Sequence, residues 1–500
     1  MEMFVLYQGK NLKRLIRKTL CVLFVLCFGS SSFADASGWI EYRAPGYLVF
    51  SDRPENKVIR FVSLLAQFDS AARLLLGLHD RTNNEEPVHI YYFDSKSQFS
   101  DYANRRTTKG FYFDDNGQPI IVVGPTNADH QLVVLLHEYV HYLVALNADS
   151  AYPRWYNEGM AEVLSTAKVE GDTVVFGFIP EMREQWLKRR VILPVEDLLV
   201  MQPVAGRHPE YIGRYYASAW LFSHYLSFGY LAGEPDHRKA IAGFLTLLNH
   251  GADDFQAFQV AFGQSTKDMD GNLKRYARNR TLPGLSVKVP NLKVALEARA
   301  LSAPDMARRL SYLAWGRSDF ALSEQLLLPY LNSDVLVEAQ WAAVSGYAAK
   351  PIADSDLERL MIRAQQPEMH ELTYLLSEYH YGLYVTGKDA PEAGRHIGMA
   401  RQLIDMHPLD PASESIQSLY LRVKIYFVQE DFRSLVQPLQ QLVERVPGSW
   451  HATLLAARIM KAMQNPDYTR YFYGRVKART HSEALEKEAE EAISLANSWK

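Results

Sequence analysis

The stretch LVVLLHEYVHYLVAL, Leu132–Leu146, is the most informative part of this sequence. Apolar residues occupy nearly every face of it, which predicts a buried central helix. Two histidines and one glutamate interrupt the apolar run: His137, Glu138 and His141. Four-residue spacing places both imidazoles on one helical face, where they can hold one Zn²⁺ while Glu138 activates a bound water. Leaving these groups buried and unpartnered would cost free energy, so we expect a metal ion; the alternative is a core in which they hydrogen-bond to one another.

A third ligand is expected downstream, because a catalytic zinc site uses three protein ligands and keeps one position open. The segment PRWYNEGMAE, residues 153–162, carries Glu158 and Glu162 on one face of a predicted helix. The 16 residues between His141 and Glu158 allow a turn and an antiparallel return. We therefore expect Glu158 to bind the metal and Glu162 to accept an N–H from a ligating histidine. Apolar neighbours such as Trp155 favour a buried helix over the alternative of a solvated acidic face.

The chain before the histidine motif predicts a small mixed sheet. Apolar periodicity and turn residues predict strands at 47–50 and 88–93, helices at 58–78 and 95–103, and a hairpin of strands 110–113 and 119–123. After the motif, the sequence predicts mainly helices up to about residue 280, with one hairpin near residues 174–176.

Beyond Pro283 the sequence predicts no further strand, and from 290 to 500 it predicts only amphipathic helices, arranged in pairs. Similar leucine patterns follow Asp319 and Asp431, and Pro408 and Pro447 lie 39 residues apart. This spacing favours a degenerate helix-pair array similar to tetratricopeptide repeats; an irregular helical domain is the alternative. Arrays of this kind present concave surfaces, so the region is expected to bind a substrate or a protein partner.

The N-terminus has the features of a secretory signal peptide. Five basic residues precede the apolar run Leu20–Phe28, and a small-residue site ends at Ala34. The alternative is an uncleaved membrane anchor, but a spanning helix needs about 20 apolar residues and this run is shorter. We expect residues 1–34 to be removed, leaving a periplasmic or secreted protein without a stable membrane anchor. Because Cys21 and Cys27 both lie in the leader, the mature chain would contain no thiol ligand or nucleophile.

Composition excludes several classes of protein. The chain has 500 residues, of which 48% are hydrophobic and 22% charged, so it should fold into globular domains. Its 54 basic residues against 57 acidic ones give a net charge of -3, and we therefore expect no nucleic-acid partner.

The two motifs together resemble a known enzyme group. HExxH followed by WxNEGxAE is similar to the gluzincin branch of zinc metallopeptidases, which includes thermolysin and the aminopeptidases; bacterial gluzincin-like domains with PxWxxEGxAE are the nearest likeness. The resemblance implies that His137, His141 and Glu158 bind one Zn²⁺ per chain, and that Glu138 is general base and acid. It also implies an α+β catalytic domain of thermolysin or gluzincin type, with a small mixed sheet and a helical subdomain, at 38–284. An all-α helical-repeat domain would follow at 290–500.

A softer likeness covers Tyr215–Leu226, which is similar to the aminopeptidase pattern YxxGxxLxxYL. There the tyrosine donates a hydrogen bond to the oxyanion, which would give Tyr216 that role; a packing role is the alternative. Ala219 replaces the family's glycine. His208 and His224 are candidates for a thermolysin-like histidine donor.

The resemblance implies a secreted or periplasmic zinc endopeptidase acting on peptide or protein substrates. Aminopeptidase activity is not supported, because nothing between Gly110 and Asp129 matches the GxMEN segment that holds a substrate's free amine. In related proteases an edge strand pairs with extended substrate, which here would be Gly110–Phe113 or Pro119–Val123. The alternative is a periplasmic interaction or adaptor protein whose zinc site is vestigial or structural.

Overall fold

The computed structural model describes most of the chain that follows the predicted leader. The described residues are 38–81, 85–103, 110–125, 128–146, 152–200, 208–250, 252–279, 281–290, 294–406, 414–479 and 483–499. The predicted leader, 1–34, and Pro408 of the predicted repeat lie outside these ranges. Within them, no helix combines the length and the apolar character that a membrane crossing requires.

The described residues contain nine strands in two sheets. The strands are β1 (Ile40–Ala44), β2 (Tyr47–Ser51), β3 (Val88–Tyr92), β4 (Gly110–Asp115), β5 (Gln118–Val123), β6 (Lys168–Glu170), β7 (Thr173–Phe176), β8 (Leu285–Lys288) and β9 (Glu297–Ala300). The larger sheet has the order β4-β5-β3-β2-β1-β9, and β6-β7-β8 form the smaller one. Strands β2, β3 and β5 run parallel to one another. The other pairs are antiparallel: β4 with β5, β1 with β2, and β9 with β1. The strands predicted at 47–50 and 88–93 and both predicted hairpins are confirmed.

Ten α-helices precede β8 in the part of the chain that the structure describes. They are α1 (Glu55–Leu76), α2 (Lys96–Tyr102), α3 (Ala128–Leu146), α4 (Arg154–Ser165), α5 (Glu181–Lys188), α6 (Val195–Val200), α7 (Pro209–Phe228), α8 (Arg238–Asn249), α9 (Asp254–Phe262) and α10 (Thr266–Tyr276), with a 3₁₀ helix at Gly229–Ala232. The predicted helices at 58–78 and 95–103 correspond to α1 and α2. The predicted central helix corresponds to α3, whose apolar side chains lie in the largest core.

Eleven further α-helices follow β9 in the described residues. They are α11 (Ala303–Trp315), α12 (Phe320–Leu327), α13 (Val335–Tyr347), α14 (Asp354–Ala364), α15 (His370–Thr386), α16 (Ala393–Met406), α17 (Ile416–Val428), α18 (Phe432–Arg445), α19 (Trp450–Ala462), α20 (Pro466–Arg479) and α21 (Glu483–Ser498), with a 3₁₀ helix at Leu328–Tyr330. The fold is thus mixed α and β, with the larger sheet mainly near the N-terminus and a predominantly helical C-terminal region.

Helices cover both faces of the larger sheet. One face packs on α1 and α3, through side chains such as Val49 and Ile90. The other face, which carries Phe50 and Tyr91, packs on α2 and on α11. Because α11 belongs to the region 290–500, elements of both predicted domains contribute to this layered core.

The prediction of no strand beyond Pro283 was wrong at β8, which pairs antiparallel with β7. The prediction that 290–500 is entirely helical was wrong at β9. This strand pairs antiparallel with β1, with Ile40 opposite Ala300. All four residues of its sequence, EARA, are exposed at the sheet edge, so apolar and polar residues do not alternate. The alternation that predicts a half-buried strand is therefore absent from the sequence. The ion pair between Arg299 and the buried Glu41 (3.0 Å) ties it to β1 instead.

Helices α12 and α18 begin in the same way. The carboxylates of Asp319 and Asp431 each accept a hydrogen bond from a backbone N–H three residues later, which caps the helix. Left-handed residues, Ser318 and Glu430, precede them at φ of 62° and 55°. The sequence similarity at these two aspartates therefore corresponds to a shared local structure, whereas a regular repeat stays a prediction.

Candidate metal centre

Helix α3 presents both histidines of the HExxH motif on one face. The Nε2 atoms of His137 and His141 lie 3.2 Å apart, and their rings meet edge to face. One helical turn separates the two side chains, as the four-residue spacing requires. Between them in sequence, Tyr139 points into the core and is fully buried. The helix is thus apolar on the side that packs and polar on the side that carries the candidate ligands.

Glu158 on α4 completes a cluster with the two histidines. Its Oε2 lies 3.5 Å from Nε2 of His137 and 3.6 Å from Nε2 of His141. Ligand atoms about 2.05 Å from a tetrahedral zinc ion lie roughly 3.3 Å from one another, so these separations fit a three-ligand zinc site. A search of the described residues for histidines and carboxylates close enough to hold a metal ion together identifies these three side chains. The three side chains are 15–17% exposed, so the cluster is reachable from solvent.

A glycine allows α4 to approach close enough for this arrangement. A Cβ atom on Gly159 would lie 2.1 Å from Oγ of Ser223 and 2.4 Å from the carbonyl oxygen of Ala219, both on α7. Trp155, one turn earlier, stacks on Phe222 of α7 with ring centroids 4.5 Å apart. Glu158 therefore comes from a helix held against α7 by direct backbone packing.

The cluster combines an acid and a base whose pKa values are shifted in opposite directions. Burial alone would lower the pKa of His137, but the hydrogen bond to Glu158 and the charges of Glu162 and Glu138 raise it to about 9. Burial would raise the pKa of Glu158, yet His137, His141 and Arg154 lower it to about 2. The carboxylate is therefore ionised and attracts positive charge, which either a proton on His137 or a divalent cation can supply.

Asn157 fixes the ring of His141. Nδ1 of His141 lies 2.9 Å from Oδ1 of Asn157, so Nδ1–H donates to the amide oxygen and Nε2 keeps its lone pair for a metal. Asn157 belongs to the WxNEGxAE motif, but the motif alone predicted no role for it. Its position one residue before Glu158, on the turn facing α3, was the available signal.

Glu162 lies near His137 but makes a different principal contact. Its Oε1 is 3.9 Å from Nδ1 of His137, which is longer than a hydrogen bond. Arg183 of α5 instead donates two hydrogen bonds to Glu162, at 2.7 and 3.1 Å. The guanidinium also lies over the ring of Tyr216, 4.7 Å from its centroid. Arg183 was missed because nothing in the local sequence marks a contact across 21 residues.

Glu138 lies against the edge strand of the larger sheet. Its Oε2 accepts a hydrogen bond of 3.0 Å from the backbone N–H of Tyr112, on β4. Because β4 is the terminal strand and β5 is internal, Gly110–Phe113 and not Pro119–Val123 occupies the sheet edge. The Tyr112 amide points away from β5. Because backbone N–H and C=O groups alternate in direction along a strand, those of Gly110 and Asp114 also point away from β5. A backbone edge and a carboxylate thus meet beside the two histidines.

The three remaining candidates have different environments. Tyr216 is partly buried on α7, where burial and the charge of Glu158 raise the pKa of its phenol. His224 is completely buried and bonds to Tyr276 (2.9 Å) and to the carbonyl of Gly177 (3.2 Å), which is a structural role. His208 caps the exposed start of α7. Tyr216 is therefore close enough to the cluster for the charge of Glu158 to act on its phenol.

A buried network on the far side of α3 was also missed by sequence reasoning. The hydroxyl of Tyr139 donates to Asp69 of α1 (2.8 Å), accepts from Arg81 (2.7 Å) and lies 3.1 Å from the hydroxyl of Tyr47. Arg73 in turn pairs with Asp69 at 2.9 Å. These contacts tie the helix that carries the histidines to α1 and to the start of β2.

No protein-family model, no curated protein and no solved structure matches this chain. The likeness to gluzincins therefore rests on the residues of the two motifs.

Proposed function

We propose that this protein is a zinc-dependent peptidase of gluzincin type, and that it acts as an endopeptidase. The observation that supports this most is the convergence of Nε2 of His137, Nε2 of His141 and Oε2 of Glu158 within 3.6 Å of one another. These donors suit zinc, and Glu138 lies beside them with its carboxylate oriented by the edge strand.

The residues around the cluster have distinct chemical roles in this proposal. Bound Zn²⁺ would polarise the scissile carbonyl and lower the pKa of a water molecule. Glu138 takes the proton from the attacking water and transfers it to the leaving amine. Asn157 keeps His141 in the tautomer that can act as a ligand. Tyr216 is the proposed donor to the oxyanion, because it is the candidate that interacts with Glu158.

Strand β4 is the proposed docking edge for an extended peptide. Its outward backbone groups lie on the side of Glu138, so a substrate strand paired there would run past the zinc site. The proposed site of action is the periplasm or the extracellular space, since the sequence predicts a cleavable leader at 1–34. The C-terminal helices are a candidate surface for a substrate or a partner protein.

The test combines metal analysis with a peptide-library assay on protein lacking residues 1–34. We expect one zinc per chain and chelator-sensitive cleavage inside peptides that are blocked at both ends. Replacing Glu158 with Ala should remove the zinc and the activity together. Glu170→Ala, the same change on an exposed strand residue, is the matched control and should keep both.

Two results would contradict the proposal. Cleavage that persists in a zinc-free Glu158→Ala protein would exclude this site as the catalytic centre. Stoichiometric zinc without cleavage of any library peptide would favour the alternative, an adaptor protein with a structural zinc site.

A further inference from the structure

The turn between α18 and α19, Val446–Ser449, packs directly on the helix that carries the histidines. A Cβ atom on Gly448 would lie 2.2 Å from the carbonyl oxygen of Ala145, in the last turn of α3. The backbone of the turn therefore touches the backbone of α3 with no side chain between them. This contact joins residues about 300 positions apart in sequence.

The same turn packs on the hairpin that contains the edge strand. The tight turn between β4 and β5 contains Gly117 at φ +100°. A Cβ atom on Gly117 would lie 3.2 Å from a methyl group of Val446 and 2.6 Å from a methyl group of Ile416, the first residue of α17. Nδ1 of His451, at the start of α19, lies 3.9 Å from a carboxylate oxygen of Asp114. The α18–α19 turn is thus placed between the end of α3 and the tip of the β4–β5 hairpin.

A small cavity and an ion pair complete this junction. The cavity has a volume of about 30 Å³, and both Tyr112 of β4 and Gly448 line it. Such a volume holds about one water molecule, so the junction is closely packed. Arg445, the last residue of α18, forms an ion pair with Glu86, just before β3, and donates a hydrogen bond to the carbonyl of Glu414. Apolar contact, backbone contact and charge therefore all fix the turn in place.

We infer that the C-terminal helices are a positioning element of the active site. In the larger sheet β4 pairs with β5 and with no other described strand, so the sheet alone holds it from one side. The α18–α19 turn holds the hairpin tip at a set distance from α3 on the other side. That distance determines where the docking edge lies relative to His137, Glu138 and His141.

This inference rests on the proposed function and adds a role that recruitment of a partner does not require. A recruiting surface could be displaced without changing how a bound peptide aligns. Displacing a positioning turn would change that alignment, because the turn supports β4. The amide of Tyr112, which donates a hydrogen bond to Glu138, belongs to this strand. Displacing the turn should weaken the binding of extended peptides, while the metal ligands stay in place because the Tyr139 network also ties α3 to α1 and β2.

Two variants displace the turn by opposite means. Gly448→Ala inserts a methyl group where Ala145 leaves no room, and Val446→Ala removes two methyl groups that lie beside the hairpin turn at Gly117. Gly398→Ala in α16 is the matched control, because a Cβ there meets no atom within 4 Å. The measurements are zinc content, kcat and KM for a blocked extended peptide, and amide hydrogen exchange of residues 110–115.

We expect both variants to keep one zinc per chain, to raise KM about fivefold or more, and to exchange the amides of 110–115 faster. Gly398→Ala should match the wild type in all three. Zinc-loaded variants with wild-type KM and wild-type exchange would overturn the inference. If Gly448→Ala does not fold, Val446→Ala alone decides. If the wild type cleaves no peptide, the proposed function fails, and the exchange of residues 110–115 still decides whether the turn positions β4.

Discussion

Replacing Gly159 with Ala tests how α4 positions Glu158, the proposed third zinc ligand. The new Cβ would lie 2.1 Å from Oγ of Ser223 and 2.4 Å from the carbonyl oxygen of Ala219. Favourable contacts lie near 3.5 Å or beyond, so α4 must move roughly 1 Å away from α7. The serine hydroxyl could rotate away, but the carbonyl belongs to the backbone of α7 and has no such freedom.

The expected cost follows from this displacement. Overpacking of this kind destabilises a protein by about 1–3 kcal/mol, and the better helix propensity of alanine returns at most about 1 kcal/mol. Glu158 is the adjacent residue, and metal–ligand distances tolerate only about 0.2 Å. We therefore expect zinc affinity to fall by about 10–100-fold, the range seen when the supports of a metal ligand are removed.

The assay is chelator competition for zinc affinity, with thermal unfolding of the zinc-free protein alongside. Gly243→Ala, inside α8, is the matched control because its Cβ would meet no atom within 4 Å. That variant should bind zinc normally and unfold at the same or a slightly higher temperature. Wild-type zinc affinity and unfolding temperature in Gly159→Ala would refute the account of how α4 places Glu158.

Three further variants test other parts of the structure. Burial raises the pKa of Asp115 to about 7, so the folded protein keeps a proton that the unfolded chain releases above about pH 4. The stability that Asp115 contributes should therefore fall as pH rises from about 4 to 7, by up to about 4 kcal/mol. Asp115→Asn removes this contribution, so the unfolding temperature of the wild type should fall relative to that of the variant over this pH range; a difference that does not change with pH would contradict this. Asn157→Ala removes the acceptor for His141 and should weaken zinc binding about tenfold, whereas an affinity within twofold of wild type would argue against an orienting role. Tyr216→Phe should lower kcat about 10²–10³-fold with little change in KM if the phenol donates to the oxyanion, and an unchanged kcat would leave only packing.

The sequence predicted the parts of the candidate site that are local in the chain. His137 and His141 share a face because helical geometry requires it, and Glu158 could be proposed because a short connection can return α4 to α3. The supports of these residues were not predictable in the same way. Arg183, the amide of Tyr112 and the network at Tyr139 act across the fold, and no local pattern encodes such contacts.

The same distinction applies to the fold. Strands β2, β3, β4 and β5 were predicted because buried strands carry apolar runs or turn residues. Strand β9 was missed because its four residues are exposed and polar or small. The contact of Gly448 with α3 was also invisible, since a glycine before a predicted helix is an ordinary turn signal.

The proposed function requires Glu138 to act as the base for a zinc-dependent hydrolysis. The most direct measurement is peptide cleavage by metal-replete Glu138→Gln protein, with the zinc content determined on the same sample. Glutamine can still accept the hydrogen bond from Tyr112, so the site should keep its shape and one zinc per chain. We predict that cleavage falls by about 10²–10⁴-fold or more, as expected for loss of a general base. Wild-type cleavage by the zinc-loaded variant would contradict the account.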